Sequence, residues 1–205
     1  MPTVTEVKQT HGERYVLVLA DGSAVKTTLS VVADYGLAPG RELSEAELAE
    51  IAAASRLERA KVRAMNIISA RPMSCGELYG RLVEKGETEH DAAACVEYLL
   101  DLHFLNDADY AAMVVRHYAA KGCGARRIRD ELYRRKVPKE LWDEALEQLP
   151  EQGEELDRFL QRRLRGADPA DRAAIKKASD ALARRGFSWE EIREAVERWR
   201  AANGE

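Results

Sequence analysis

The sequence predicts a mainly α protein: three tandem three-helix modules in an elongated, curved array, preceded by a small N-terminal β-hairpin and a linker helix. Three observations carry this. The last three quarters of the chain repeat every 50 residues, with Leu82, Leu132 and Leu182 in one phase. Leu78, Ile128 and Ala178 lie four residues earlier, Val96, Leu146 and Val196 fourteen later, and Glu97, Glu147 and Glu197 share a further phase. Such a period marks one supersecondary unit stacked several times, each copy burying an apolar face against itself and its neighbours. Aromatic residues are only 6% of the chain while Ala, Leu, Glu and Arg abound, which favours helices over a sandwich or barrel. Strand signals, finally, are confined to residues 3–33.

Within that first stretch, Tyr15 to Leu19 is apolar and rich in β-branched residues, Asp21-Gly22 is a tight-turn dipeptide, and Val25 to Leu29 supplies a second strand. Pro39-Gly40 breaks the chain, and Ser44 with Glu47 three residues later forms a capping-box pattern that opens a helix through Ala54. Residues 1–55 are therefore read as an appendage, residues 56–104, 105–150 and 151–205 as the modules.

In the first module, Leu57 to Arg71 ends before Pro72, Ser74 caps a helix running to Gly86, and Thr88 opens a third helix reaching Leu102. In the second, Asn106 or Asp107 caps a helix to Lys121, Gly122 and Gly124 punctuate the turn, Ala125 to Lys136 follows, and Pro138 sits near the start of the last helix. The third begins with Glu154 to Arg165. Asp168-Pro169 reads as a cap and first-turn proline for a longer middle helix to Arg185, and Ser188 with Glu191 opens a helix through Ala201. Ala92, Trp142 and Ile192, and seven residues later Leu99, Leu149 and Trp199, repeat as core positions. Gly86 and Gly186 stand where a left-handed residue ends a helix; Lys136 occupies that phase in the second module.

Catalytic and membrane classes find no support. Cys75, Cys95 and Cys123 are odd in number, spaced for neither a disulfide framework nor a CxxC site, and read as reduced thiols. The apolar run Tyr15–Ala20 is far shorter than a membrane span, and the N-terminus lacks a signal pattern, so a cytoplasmic protein is expected; separately, a monomer is expected. His11, His90, His103 and His117 fall in separate elements, with His90-Asp91 read as an exposed first-turn pair. No phosphate loop, GxSxG or GxGxxG occurs, and the chain reads as a non-enzyme without cofactor or metal.

Charge is the informative remainder. The net value of −4 hides two basic segments. Between Arg116 and Lys139, nine basic residues (Arg116, Lys121, Arg126, Arg127, Arg129, Arg134, Arg135, Lys136 and Lys139) face only Asp130 and Glu131. Between Arg158 and Arg185, another nine, among them Arg162, Arg163, Lys176, Lys177, Arg184 and Arg185, face three aspartates. Arginine dominates, as suits bidentate contact with phosphate or carboxylate. The competing reading is a solvated face on which Asp130 pairs with Arg126 and Arg134 at i,i+4.

The second repeat, FLNDADYAAMVVRHYAAKGCGARRIRDELYRRKVPKELWDEAL (Phe104 to Leu146), closely resembles the central module of the RecX family, regulators of the RecA recombinase. SCGELYGRLVEKG, Ser74 to Gly86, resembles that family's opening module, and a weaker third module extends the match over about Leu57 to Trp199. The N-terminal hairpin and helix resemble an extension found in some members. What the resemblance implies is a protein that enters the groove of the RecA filament on single-stranded DNA and restrains filament growth, ATP hydrolysis and strand exchange, within homologous recombination, DNA repair and the SOS response. RecA and DNA, single- or double-stranded, are the implied partners. By motif position, Arg126, Arg127, Arg129, Arg134 and Arg135, with Arg116, Lys121 and Lys136, fall on the implied binding module. Lys136 departs from the family pattern, which has glycine there. A plain DNA-binding helical protein and a scaffold for another protein are the alternatives.

Overall fold

The computed structural model describes residues 1–204. They divide into two compact units, one formed by Met1–Met73 with Leu78–Leu105, the other by Ser74–Glu77 with the chain from Asn106 onward.

The first unit opens with a three-stranded antiparallel sheet in the order β1 (Val4–His11), β2 (Arg14–Leu19) and β3 (Ala24–Thr28). The predicted hairpin is β2–β3, with Asp21 accepting the Ser23 amide at 2.8 Å in its turn. Strand β1 escaped prediction because its residues are mostly polar and exposed; main-chain pairing to β2 holds it, with only Val4 fully buried. The short helix α1 (Leu29–Asp34) was missed because Leu29 continues the strand pattern of its neighbours.

Helix α2 (Glu45–Ala70) begins at the predicted capping box: Ser44 Oγ accepts the Glu47 amide at 3.1 Å while Glu47 accepts the Ser44 amide at 2.8 Å. The helix expected to stop at Ala54 and the one expected from Leu57 are a single 26-residue helix. Nothing between them can end a helix, since AAASRLERAKV lacks Gly and Pro. Ser55, buried, donates to Thr27 Oγ1 at 2.8 Å and ties α2 to β3. Helices α3 (Cys75–Glu84) and α4 (Glu89–Asp101) follow, with Thr88 capping α4 through the Asp91 amide. Leu78, Leu82, Ala92 and Leu99 are fully buried, as their phase predicts. Asp91 is buried, 3.9 Å from the Arg56 guanidinium and 3.6 Å from His90 Nδ1, so the first-turn pair that the sequence suggests is present with only its histidine exposed.

The second unit holds α5 (Asp107–Ala120), capped by Asn106, then α6 (Ala125–Arg134), a 3-10 turn (Lys139–Leu141), α7 (Trp142–Glu147), α8 (Gly153–Arg163), α9 (Arg172–Arg184) and α10 (Trp189–Asn203). Two cores form. Tyr110, Val115, Ile128, Leu132 and Val137 fill one; Leu156, Phe159, Leu182, Ile192 and Trp199 fill the other. Helix α9 starts later than Asp168-Pro169 suggests. Asp168 accepts the Ala170 amide in a turn, and Asp171 caps the helix through the Ala173 and Ala174 amides. The second aspartate wins because its carboxylate reaches two helical donors and the first reaches one turn donor.

The three helix-ending positions are left-handed: φ is +88° at Gly86, +54° at Lys136 and +92° at Gly186. A side chain in that region is strained by about 1–2 kcal/mol. Lys136→Gly should therefore stabilise the protein by roughly 1 kcal/mol, raising Tm by about 2–4 °C for a chain of this size. An unchanged or lower Tm would show that the contacts of the Lys136 side chain outweigh the relief.

Candidate partner-binding surface on the second and third modules

Helix ends govern the placement of the arginines. The amide of Gly124, which precedes α6, donates to the Arg185 carbonyl at 3.0 Å, and the Arg126 amide donates to the Gly186 carbonyl at 3.1 Å. Orphan donors at the start of α6 thus meet orphan carbonyls at the end of α9, and the helix dipoles meet with opposite sign. Fifty residues earlier the arrangement recurs: the Ser74 hydroxyl, which also caps α3 through the Glu77 amide, donates to the Arg135 carbonyl.

This approach leaves no room for two facing side chains. A methyl on Gly124 would lie 2.5 Å from the Gly186 oxygen, and one on Gly186 would lie 2.3 Å from the Arg127 nitrogen. At the earlier junction Lys136 carries a Cβ, and the residue it meets is Gly76, where a methyl would come within 2.9 Å of that Cβ. At that junction the left-handed Lys136 keeps its side chain because the residue its Cβ meets is glycine. Local sequence gives no sign of that pairing.

The α6–α9 junction brings Arg126 and Arg127 beside Arg184 and Arg185, uniting the two basic segments. These arginines differ in state. Arg127 and Arg134 each lie 3.1 Å from Glu131 Oε1, and Glu131 is 6% exposed. The predicted pairing of Arg126 and Arg134 with Asp130 is thus replaced: Asp130 points to solvent, and Glu131, one residue nearer the buried stripe, takes both partners. Arg129 reaches Asp143 at 3.5 Å, and Lys176 pairs with Asp180 at 2.9 Å. Arg185 is half-buried over the Phe159 ring, 4.7 Å from its centroid.

Arg135 is also half-buried, donating to the hydroxyls of Tyr110 at 2.7 Å and Tyr118 at 3.4 Å, while its Nε is buried without an acceptor. Burial opposes its charge, but the Tyr118 and Tyr110 hydroxyls more than offset this and raise its pKa above the ordinary guanidinium value. It serves the packing of α5 against α6. Lys121, exposed, sits 5.4 Å from the Tyr118 ring centroid. Among the described residues, Arg116, Lys121, Arg126, Lys136, Arg162, Arg163, Lys177 and Arg184 are exposed and have no ion pair. Arg162 and Arg163 lie in the last turn of α8, Lys177 within α9 and Arg116 on α5.

Two exposed aromatics were not singled out from the sequence. Tyr133, 68% exposed, follows Arg126 and Arg129 along α6, and Trp189, 63% exposed, opens α10 three residues after Gly186. A signal existed for Trp189: its counterparts one and two repeats earlier are Lys139 and Glu89, so an aromatic stands in a polar phase. Among the described residues, no group of three or more His, Cys, Asp or Glu could hold a metal ion, and no helix is long and apolar enough to cross a membrane. Cys75 and Cys95 have thiol pKa values pushed up to about 12 and about 11, chiefly by burial, which keeps both protonated at neutral pH.

Comparison with known proteins gives a consistent result. Residues 60–99, 106–146 and 151–196 match family models described as the first, second and third three-helix domains of RecX. "Regulatory protein RecX" of Vibrio campbellii is 34% identical over 137 residues, 66% of this chain and 88% of that relative. The Xanthomonas citri protein of the same name is 37% identical over 135 residues, 65% of this chain and 83% of its own. A crystal structure of regulatory protein RecX superposes with a TM-score of 0.76 at 24% identity, covering 96% of this chain and 99% of that one. RecX from Lactobacillus salivarius gives 0.63 at 22%, covering 71% and 97%. The first likeness extends the shared fold into the N-terminal sheet, which the family models leave out. With three successive modules matched in order and most of each relative covered, the chain belongs to the RecX family of regulatory proteins.

Proposed function

We propose that this protein regulates the RecA recombinase in the cytoplasm by docking onto the RecA filament on single-stranded DNA and restraining its growth, ATP hydrolysis and strand exchange. The observation that carries the reading is the α6–α9 junction. It gathers Arg126 and Arg184 from different modules, neither held by a carboxylate, in a chain whose net charge is −4. Cations left uncompensated in an acidic protein favour an anionic partner surface, either filament phosphates or acidic RecA side chains. The mechanism is occupancy and not chemistry: helical modules contacting successive filament subunits gain avidity from linked weak contacts.

The test is DNA-dependent ATP hydrolysis by preassembled cognate RecA filaments, titrated with this protein at substoichiometric ratios. Inhibition well below one molecule per RecA is expected. Inhibition that appears only once free DNA is saturated would replace filament docking with simple DNA occupancy. Exposed Tyr133 among the arginines favours that second reading, since aromatic side chains stack on unpaired bases. Salt separates the two. About four phosphate contacts to single-stranded DNA give a log–log slope near −3, roughly fiftyfold weaker binding between 50 and 200 mM salt.

A further inference from the structure

Three helix ends meet at one point of the second unit. The Gly124 amide donates to the Arg185 carbonyl, the Arg126 amide donates to the Gly186 carbonyl, and a methyl on Gly124 would lie 2.6 Å from the Phe187 nitrogen. Arg126 is in the first turn of α6, Arg184 in the last turn of α9, and Trp189 is the first residue of α10. Each is at most two residues from a backbone group of that contact, about 7 Å of chain. Arg193 follows Trp189 by four residues, which puts the two on one face of α10 about 6 Å apart along its axis.

The fold does not account for Trp189. It is 63% exposed, Ser188 and Glu191 cap α10 without it, and its phase is polar in the other two repeats. Arg126, Arg184 and Arg193 are exposed and have no ion pair among the described residues. The carboxylates nearest in sequence are engaged or point elsewhere on the helix. Glu191 accepts the Ser188 amide at 2.7 Å, Asp180 is held by Lys176, and exposed Glu190 is turned about 100° from Trp189 around α10.

We infer that Trp189 is a stacking platform for an unpaired base of single-stranded DNA whose phosphates lie on Arg126, Arg184 and Arg193. An indole face stacks on any base, and arginines beside it neutralise the backbone to either side, so the contact is sequence-tolerant. A protein partner would need a contiguous apolar patch for the core of its interface. Among the described residues, the other exposed large apolar side chains of the second unit are Met113 on α5 and Tyr133 on α6, and neither lies on α9 or α10. A duplex keeps its bases stacked on one another and leaves the indole without a role. The inference rests on the reading of this junction as the partner-binding surface and names what it touches.

The experiment titrates the full chain with a 20-nucleotide oligothymidylate, following tryptophan emission, and measures affinity in parallel by anisotropy of the labelled oligonucleotide. Trp199, 5% exposed, and half-buried Trp142 supply a constant background. Quenching at saturation is expected in the wild type and not in Trp189→Phe, which keeps most of the affinity because a phenyl ring still stacks. Trp189→Ala should bind about tenfold more weakly at 100 mM salt with its log–log salt slope unchanged, since stacking releases no counterions. Arg126→Gln/Arg184→Gln should instead make the slope shallower by about 1.4, two lost contacts at roughly 0.7 each. Unquenched emission at saturation, or equal affinity of the wild type and Trp189→Ala, would overturn the inference. So would a Trp189→Ala variant that binds the oligonucleotide normally yet fails to restrain RecA filaments, which would assign the indole to a protein contact. The titrations on bare DNA do not involve RecA, so a wild type without effect on filaments would sink the regulatory reading alone.

Discussion

Gly186→Ala should destabilise the protein by about 3 kcal/mol, adding the strain of a left-handed alanine to the overpacking of a closed contact. For a chain of this length that corresponds to a Tm lower by roughly 6–12 °C. The added methyl would lie 2.3 Å from the Arg127 amide nitrogen and 2.5 Å from its Cβ, so α6 and α9 must separate to admit it. Gly86→Ala is the matched control. Gly86 has φ +88°, against +92° at Gly186, but nothing lies within 4 Å of the added carbon. Its loss should be only the conformational part, about 1 kcal/mol. Equal Tm losses for the two variants would mean that the junction yields freely and contributes little. The other junction supplies a reciprocal test. Gly76→Ala clashes with Lys136 in the wild-type background, and Lys136→Gly should recover only part of the loss, because it removes the Cβ at 2.9 Å and leaves the carbonyl oxygen at 2.8 Å.

Arg126→Glu combined with Arg184→Glu should weaken filament binding about a hundredfold while leaving helical content and Tm unchanged. Each reversal turns a surface attraction into a repulsion worth roughly 1–1.5 kcal/mol, and together they approach the 2.7 kcal/mol of two decades in affinity. Both side chains are exposed and without ion pairs, so the fold does not depend on their sign. Arg127→Glu and Arg134→Glu are expected to behave differently. Each would remove a partner of Glu131 and set a second carboxylate beside a group that is 6% exposed, which destabilises the protein before it reaches any partner. The comparison divides a continuous basic segment into structural and surface arginines. Normal filament inhibition by a folded Arg126→Glu/Arg184→Glu variant would remove this face from the proposal.

That division could not be read from the chain. In the run Arg126 to Arg135 the charges alternate closely enough that Asp130 and Glu131 are equally plausible partners by spacing. Burial decides between them, because Glu131 lies next to Leu132 in the stripe and loses water while Asp130 keeps it. Arg135 was grouped with the surface cations for the same reason. Its neighbours Tyr110 and Tyr118 sit 25 and 17 residues away, and only the packing of α5 on α6 brings their hydroxyls to it.

Other outcomes were local and therefore legible. Ser44, Thr88, Asn106 and Ser188 cap the helices predicted for them, since a cap joins residues two or three apart. The phase of Leu82, Leu132 and Leu182 identified buried positions, because a helix face is set by spacing within one element. Left-handed helix ends at Gly86, Lys136 and Gly186 followed from the same repeat.

By itself the sequence thus determined the helical repeat, most helix starts and the buried leucines, all of which depend on interactions spanning a few residues. Tertiary structure alone decided that β1 joins the sheet, that Glu131 outcompetes Asp130, and that Gly76 faces the left-handed Lys136. Those features rest on strand register, desolvation and steric contact between residues as far as 61 positions apart, as at Ser74 and Arg135, distances over which sequence spacing carries no geometric information.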